Sequence, residues 1–160
     1  MGISKRNASL SDAAVLLEWR NSPISRKFSQ NSELIKIEDH LEWFLNRLER
    51  IRLEPFFMFE LDHKLVGMSR LDFEFQSEDE FVISILVDPN QLSKGIGTKI
   101  LDITCETVFN LHPNNAVIAK IHQSNLISQK LFANAGFELQ NPVGDFLNFK
   151  KTLKSEQSRF

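Results

Sequence analysis

The chain has 160 residues, 42% hydrophobic and 25% charged, with a formal net charge of −2; that length suits one domain burying roughly two-thirds of the surface its unfolded form exposes. The small net charge argues against a polyanion-binding surface, so nucleic acid is not expected as a partner. No apolar run approaches the ~20 residues of a membrane helix, and the charged start MGISKRNASLSD lacks the apolar stretch of a secretory signal, so a soluble cytoplasmic protein without a membrane partner is expected.

In chain order, SLSDAAVLLEWRN predicts a first helix, capped by Ser9 or Ser11 and with Asp12 in its first turn. Ala13, Leu16 and Leu17 would form its apolar face, and it would end near Asn21, with Pro23 just beyond. IEDHLEWFLNRLERI places Leu41, Phe44, Leu45, Leu48 and Ile51 at three-four spacing. That predicts a second amphipathic helix, with Glu38 and Asp39 at its positive end. The period then shortens: PFFMFEL, KLVGMSRLDFEF and EFVISILVD are rich in Phe, Val and Ile and separated by DHK and QSED. Three strands in an antiparallel meander follow from this pattern.

Helical spacing returns from Ile96 through Ile100, Ile103 and Val108 and stops at HPNN; Cys105, the sole cysteine, falls inside it. A single cysteine excludes an internal disulfide and suits a reducing cytoplasm; its place on a helix suits a buried, inert thiol. AVIAKI reads as a buried strand, NLISQKLFANAGF as a helix closed by a left-handed glycine at Gly136, and FELQN with DFLNFKKTL as a closing strand pair. The predicted order is β, α, α, β, β, β, α, β, α, β, β, a mixed α+β fold with one βαβ crossover. Residues 1–153 would form a single domain, with 154–160 a frayed tail.

The chain has only six glycines, and two of them, Gly95 and Gly97, stand in VDPNQLSKGIGTKIL, where a strand gives way to a helix. A glycine turn at a helix N-terminus exposes backbone N–H groups at the positive end of the helix dipole, a setting that binds phosphate or pyrophosphate. Lys94 adds a point charge and Thr98 a hydroxyl. Taken alone, the two glycines read first as a tight turn. The stretch is neither a Walker loop nor a full dinucleotide fingerprint, since a third glycine would fall at Ile100.

Downstream, AVIAKIHQ is followed by SNLISQKLFANAGF. The two stretches in this order and spacing resemble the GNAT superfamily of N-acetyltransferases: its acetyl-CoA pyrophosphate loop, and its Asn-x-x-Ser helix ending in Gly-Phe. The resemblance covers nearly the whole chain. It implies a central, mostly antiparallel sheet of six or seven strands, with a splayed parallel pair at its centre and about four flanking helices. It also implies acetyl-CoA as co-substrate. Leu92, Ser93, Lys94, Gly95, Ile96, Gly97 and Thr98 would cradle the pyrophosphate, and Asn125 would bond the pantetheine arm. Ser128 and Phe132 would line the same groove, and Leu86 and Val87 would offer backbone groups to the pantetheine amides and thioester carbonyl. The chain departs from the pattern twice: Leu92 stands where the family has Arg or Gln, and Phe132 where many members have the Tyr that protonates the leaving thiolate. The sequence contains fourteen Phe and no Tyr.

LLEWRNSPISRKFSQ followed by IEDHLEWFLNRL resembles, within this superfamily, enzymes that acetylate UDP-linked 4-amino-dideoxy sugars, as in pseudaminic acid synthesis. Ribosomal-protein N-terminal acetyltransferases share part of the Trp-Arg-Asn start. The implied reaction is direct attack of a small-molecule primary amine on the acetyl thioester, with a peptide N-terminus or a non-catalytic acyl-CoA-binding module as the competing readings. Arg20, Asn21, Arg26 and Arg70 are candidate substrate contacts, since a guanidinium fork suits phosphate oxygens. Family members often place a Glu where Glu80 stands, and histidine is a side chain suited to the task, so Glu80 and His122 are the candidate bases. No Cys, His or carboxylate spacing suggests a metal site, and a homodimer is compatible with the sequence.

Overall fold

The computed structural model describes residues 2–75 and 77–153; the predicted frayed tail, 154–160, lies outside the described residues. The strands are β1 (Ser4–Asn7), β2 (Phe56–Leu61), β3 (Lys64–Glu74), β4 (Ser77–Val87), β5 (Ala116–His122), β6 (Glu138–Leu139) and β7 (Phe146–Lys151). The helices are α1 (Ala13–Arg20), α2 (Pro23–Lys27), α3 (Ile37–Leu48), α4 (Ile96–Leu111) and α5 (Leu126–Asn134). All the strands join one seven-stranded sheet in the order β1-β2-β3-β4-β5-β7-β6. Every pairing is antiparallel except β4 with β5, which α4 connects.

Both faces of the sheet are covered, so Phe56, Phe57, Met58 and Phe59 are all buried in succession rather than alternating. On one face Phe56, Met58 and Met68 pack against Leu16 and Trp19 of α1 and Phe44 of α3. On the other, Leu71, Phe81, Ile83 and Val117 pack against Leu101, Cys105 and Val108 of α4 and Phe132 of α5. A large-to-alanine change at a fully buried ring such as Phe44, Phe56 or Phe81 therefore costs about 3–5 kcal/mol. Cys105 is buried, as its place on the helix suggested.

Several local readings change in three dimensions. Helix α3 is rotated from the predicted face: it buries His40, Phe44 and Arg47, while Leu41 and Leu45 are exposed. The two polar residues go inward because each finds a partner there, His40 with the Ala13 carbonyl oxygen at 2.8 Å and Arg47 with Asp72 at 2.7 Å. Pro23 does not simply follow the first helix. It is the first residue of α2, with the Ser22 hydroxyl accepting the Ser25 N–H, the usual place for proline in a helix. The β2–β3 hairpin turns on Asp62 and His63 alone, both in the left-handed region, as a two-residue turn demands. Strand β4 starts at Ser77, so the acidic SEDE segment is strand rather than turn.

Gly67 received no weight from the sequence, yet it fixes how closely α4 approaches the sheet. A Cβ there would stand 2.5 Å from Ile100 Cδ1 and 2.8 Å from the Leu86 carbonyl oxygen.

Candidate active site

The register of the parallel pair creates the site. Strands β4 and β5 are in register only over Glu80–Val82 against Ala116–Ile118. Beyond Val82 they diverge, and a cleft of about 620 Å³ opens between Ile83–Val87 on one side and Ala119–His122 on the other. Its volume lies in the range of small-molecule sites. The edge of β4 exposed there can accept an extended ligand as an added strand.

At one mouth of the cleft lies the glycine turn. Ser93 and Gly95 both adopt positive φ, +63° and +78°, and Gly95 is the N-cap of α4. The first free turn of α4 leaves the N–H groups of Ile96, Gly97 and Thr98 without a partner among the described residues, as a helix start does unless a side chain or ligand caps it. Gly95 serves conformation rather than space, because a Cβ there would meet nothing within 4 Å. Gly97 faces Leu131 and Val87 at ordinary contact distances. Lys94 reaches Gln91 at 3.1 Å, which holds its charge beside the turn; Leu92 is exposed at the cleft's edge.

The α5 side completes that half. The Asn125 side-chain oxygen accepts the Ser128 N–H at 3.2 Å and caps α5. Its amide NH2 has no partner among the described residues and belongs to the cleft wall, so it is free to donate to a carbonyl. Ser128 and Phe132 line the same wall, and Phe132 meets Phe137 edge-on at 5.0 Å. Leu86 and Val87 form the opposite wall. All the residues predicted to contact the cofactor, other than Lys94, line one continuous cleft.

The predicted catalytic and acceptor residues separate more. His122 lines the cleft, with Phe146 edge-on to its ring at 5.3 Å and Phe28 tilted at 6.4 Å. Its Nδ1 accepts the Ser124 backbone N–H at 3.1 Å, which leaves Nε2 carrying the proton in the neutral ring. In this form the Nε2–H of His122 is a donor, and the ring can accept a proton only if the Ser124 bond is given up.

Glu80 does not reach the cleft. It lies in the paired stretch of β4 opposite Ala116, with its carboxylate 3.3 Å from Lys150 of β7, and four residues of strand, about 13 Å, separate it from Ser84. Glu80 stands where β4 and β5 are still joined, before they part past Val82. Asn21 is not on the cleft wall either: its side chain clasps the Ile35 backbone at both N–H and C=O, at 2.8 and 3.0 Å, and so pins the segment leading into α3.

Arg20 and Arg70 do line the cleft, on the sheet face that carries α1 and α3. Arg70 donates to Asp72 at 2.7 Å and lies 3.4 Å from the Ser84 hydroxyl. Burial and the nearby Arg70 charge lower the pKa of Arg20 from its ordinary value, though a guanidinium stays charged. The structure adds Ser84, Phe28 and Ile35 to the wall. Phe28 and Ile35 arrive through α2 and the segment after it, whose one sequence signal was Ser22-Pro23 as cap and first helical residue. Among the described residues, no group of His, Cys, Asp and Glu fit to hold a metal ion exists, and no helix is long and apolar enough to cross a membrane.

Residues 6–138 match the family profile described as the acetyltransferase (GNAT) domain. The chain belongs to that family and is an acyltransferase by membership. No curated protein sequence matches it. Its fold is shared with AAC(6')-Ib, solved with ribostamycin and coenzyme A: TM-score 0.84, 21% identity, covering 98% of this chain and 97% of that one. A putative acetyltransferase, yncA, from Salmonella typhimurium, solved with acetyl-CoA, superposes with a TM-score of 0.79 at 20% identity over 96% of this chain and 95% of that one. A ribosomal-protein-alanine N-acetyltransferase from Brucella melitensis gives 0.78 at 24% identity over 94% and 99%.

Proposed function

We propose that the protein is an acetyl-CoA-dependent N-acetyltransferase acting on the primary amine of a small molecule. The observation that carries this reading is the cleft between β4 and β5, with the bare N–H groups of α4 at one mouth and the free Asn125 amide on its wall. These residues fit the coenzyme. The amide hydrogens of Ile96, Gly97 and Thr98 suit a diphosphate, and the unpaired edge of β4 suits the pantetheine amides. When bound, acetyl-CoA supplies an activated acyl group to the amine.

The chain's own residues then orient and desolvate. Phe132 packs the cleft wall but has no proton to give. The Nε2–H of His122 offers a hydrogen bond where negative charge develops. With Glu80 held by Lys150 outside the cleft, the ammonium of the arriving amine loses its proton to water in the open acceptor mouth. A thiolate is a good enough leaving group to depart without a tyrosine.

The acceptor we favour is a nucleotide-linked amino sugar, supported by the resemblance of the segment from Leu16 to Leu48 and by the arginines on the cleft wall. A ribosomal-protein N-terminus is the second reading, carried by the Trp19-Arg20-Asn21 start. Thiol release from acetyl-CoA, followed with UDP-4-amino sugars beside ribosomal N-terminal peptides, separates the two. Turnover of the sugar alone supports the first, and turnover of the peptides alone overturns it. Absence of any calorimetric signal with millimolar coenzyme A would remove the acetyltransferase reading altogether.

A further inference from the structure

The charges on the acceptor side of the cleft do not balance. Arg20, Arg26, Arg70 and Lys120 line it, and Glu33 is the one carboxylate residue among its described lining. Most of these cations are occupied. Lys120 pairs with Glu74 at 3.1 Å, and Arg26 gives its Nε to the Ser32 carbonyl oxygen at 2.9 Å. Asp72 is shared: one carboxylate oxygen accepts from the fully buried Arg47 and the other from Arg70, both at 2.7 Å. A single negative charge thus serves two guanidinium groups.

The Arg20 guanidinium has no hydrogen bond or ion pair among the described residues. Its guanidinium lies over the Trp43 ring at 5.5 Å, and Arg70 lies over the same ring at 4.8 Å. Trp43 is therefore a platform that brings two like charges together at the cleft wall, an arrangement that is costly unless an anion completes it. The position is specific. Arg70 pairs with Ser84, two residues past the last β4–β5 pair, where the cleft opens. It lies on the sheet face of α1 and α3, away from the helix start that would take the coenzyme's diphosphate.

We infer that Arg20 and Arg70, seated on Trp43, form an oxyanion subsite, and that the acceptor carries a phosphate or carboxylate close to its amine. This rests on the acetyltransferase reading and narrows its substrate class: polycationic amines are rejected by the same charges. Arg20 is the specificity-determining residue, because its charge alone is uncompensated; Arg70 is held ready by Asp72.

The test uses the full chain saturated with coenzyme A, so that its diphosphate site is filled. Pyrophosphate, glutarate and spermine are then titrated while the indole N–H resonance of Trp43, assigned with Trp43→Phe, is followed by NMR. The expected result is a shift with pyrophosphate or glutarate and none with spermine. The tighter of the two anions decides between phosphate and carboxylate. Arg20→Gln should weaken anion binding about tenfold or more, and Arg20→Lys should weaken it less.

Coenzyme A affinity, read in the same samples, keeps the two claims apart. Loss of it in the unmodified protein sinks the acetyltransferase reading. Intact coenzyme binding overturns the oxyanion subsite alone if no anion moves Trp43 at millimolar concentration, or if Arg20→Gln binds anions as tightly, or if spermine binds as well as they do. Should Arg20→Gln fail to fold, the unmodified protein and Arg20→Lys still decide.

Discussion

Gly95, with its backbone at φ +78° and open space where a Cβ would stand, separates two reasons for a glycine. Gly95→Ala meets no clash but must hold a left-handed conformation, at about 1–2 kcal/mol. That cost falls on the turn that presents the Ile96, Gly97 and Thr98 N–H groups. Isothermal titration should show weaker coenzyme A binding, and denaturant unfolding a loss of stability no greater than that strain.

Phe132→Tyr adds a hydroxyl on the cleft wall beside Ser128. The expected outcome is kcat equal to or above that of the unmodified enzyme, since a proton donor is gained; a large loss in a well-folded variant would show that the site depends on the apolar ring. That the residues of the α4 and α5 side would line one cleft was legible because glycine turn, helix start and Asn-x-x-Ser recur at fixed sequence distances. Across the cleft Arg20 and Arg70 were singled out, but their meeting on Trp43 was not, because it forms only across α1, β3 and α3. Asn21 stood next to a cleft residue in sequence yet turned its amide to the Ile35 backbone.

Between elements, Gly67 and the Arg6–Asp12 pair make different predictions. Gly67→Ala forces a methyl against Ile100 and against the Leu86 carbonyl, which is backbone and cannot simply swing aside. Overpacking of this kind costs about 1–3 kcal/mol, and it pushes α4 away from β4 at the cleft wall. Denaturant unfolding should show a lower midpoint, and coenzyme affinity should fall with it.

Asp12 is buried between β1 and α1. Burial pushes its carboxyl pKa up, but hydrogen bonds from Arg6 at 2.7 and 2.8 Å and from the Ser9 N–H at 2.9 Å outweigh this and hold it below the usual range. A carboxylate with a depressed folded pKa contributes stability at and above its unfolded pKa, about 3.9, and loses it as pH falls through the folded value. Asp12→Asn, which removes the charge paired with Arg6, should therefore lower stability at neutral pH by about 1 kcal/mol and flatten the acid limb of a stability–pH curve. Element identity was readable from apolar spacing for the longer elements but not for α2, whose five residues are too few to show a period. The orientation of α3 was not: counting apolar residues turns Leu41 and Leu45 inward, whereas the structure turns in His40 and Arg47, whose partners lie on α1 and β3.

For the molecule as a whole, the order of elements along the chain and the βαβ crossover followed from the alternation of strand-like and helix-like periods, but the order of strands in the sheet and the length of the β4–β5 contact did not. Three residue pairs hold the two strands together, and nothing in local sequence sets where they part. A ligand filling that gap stabilises the folded state by mass action, about 2.7 kcal/mol at a hundredfold excess over Kd. For a chain of this size that is an upward shift in Tm of roughly 5–10 °C, readable by a thermal melt with and without coenzyme A.

The same short contact makes the sheet a pair of rafts. β1 to β4 form one and β5, β7 and β6 the other, moored along three rungs of backbone hydrogen bonding and by α4 overhead. Thermal breathing of the empty protein should concentrate along that seam. Amides of Val82 and Ile118 should exchange with deuterium faster than those in the middle of β3, although all sit mid-sheet. A ligand laid between the rafts would act as a missing plank and slow them. Equal protection on both sides of the seam, with and without coenzyme, would show that α4 alone keeps the two halves locked.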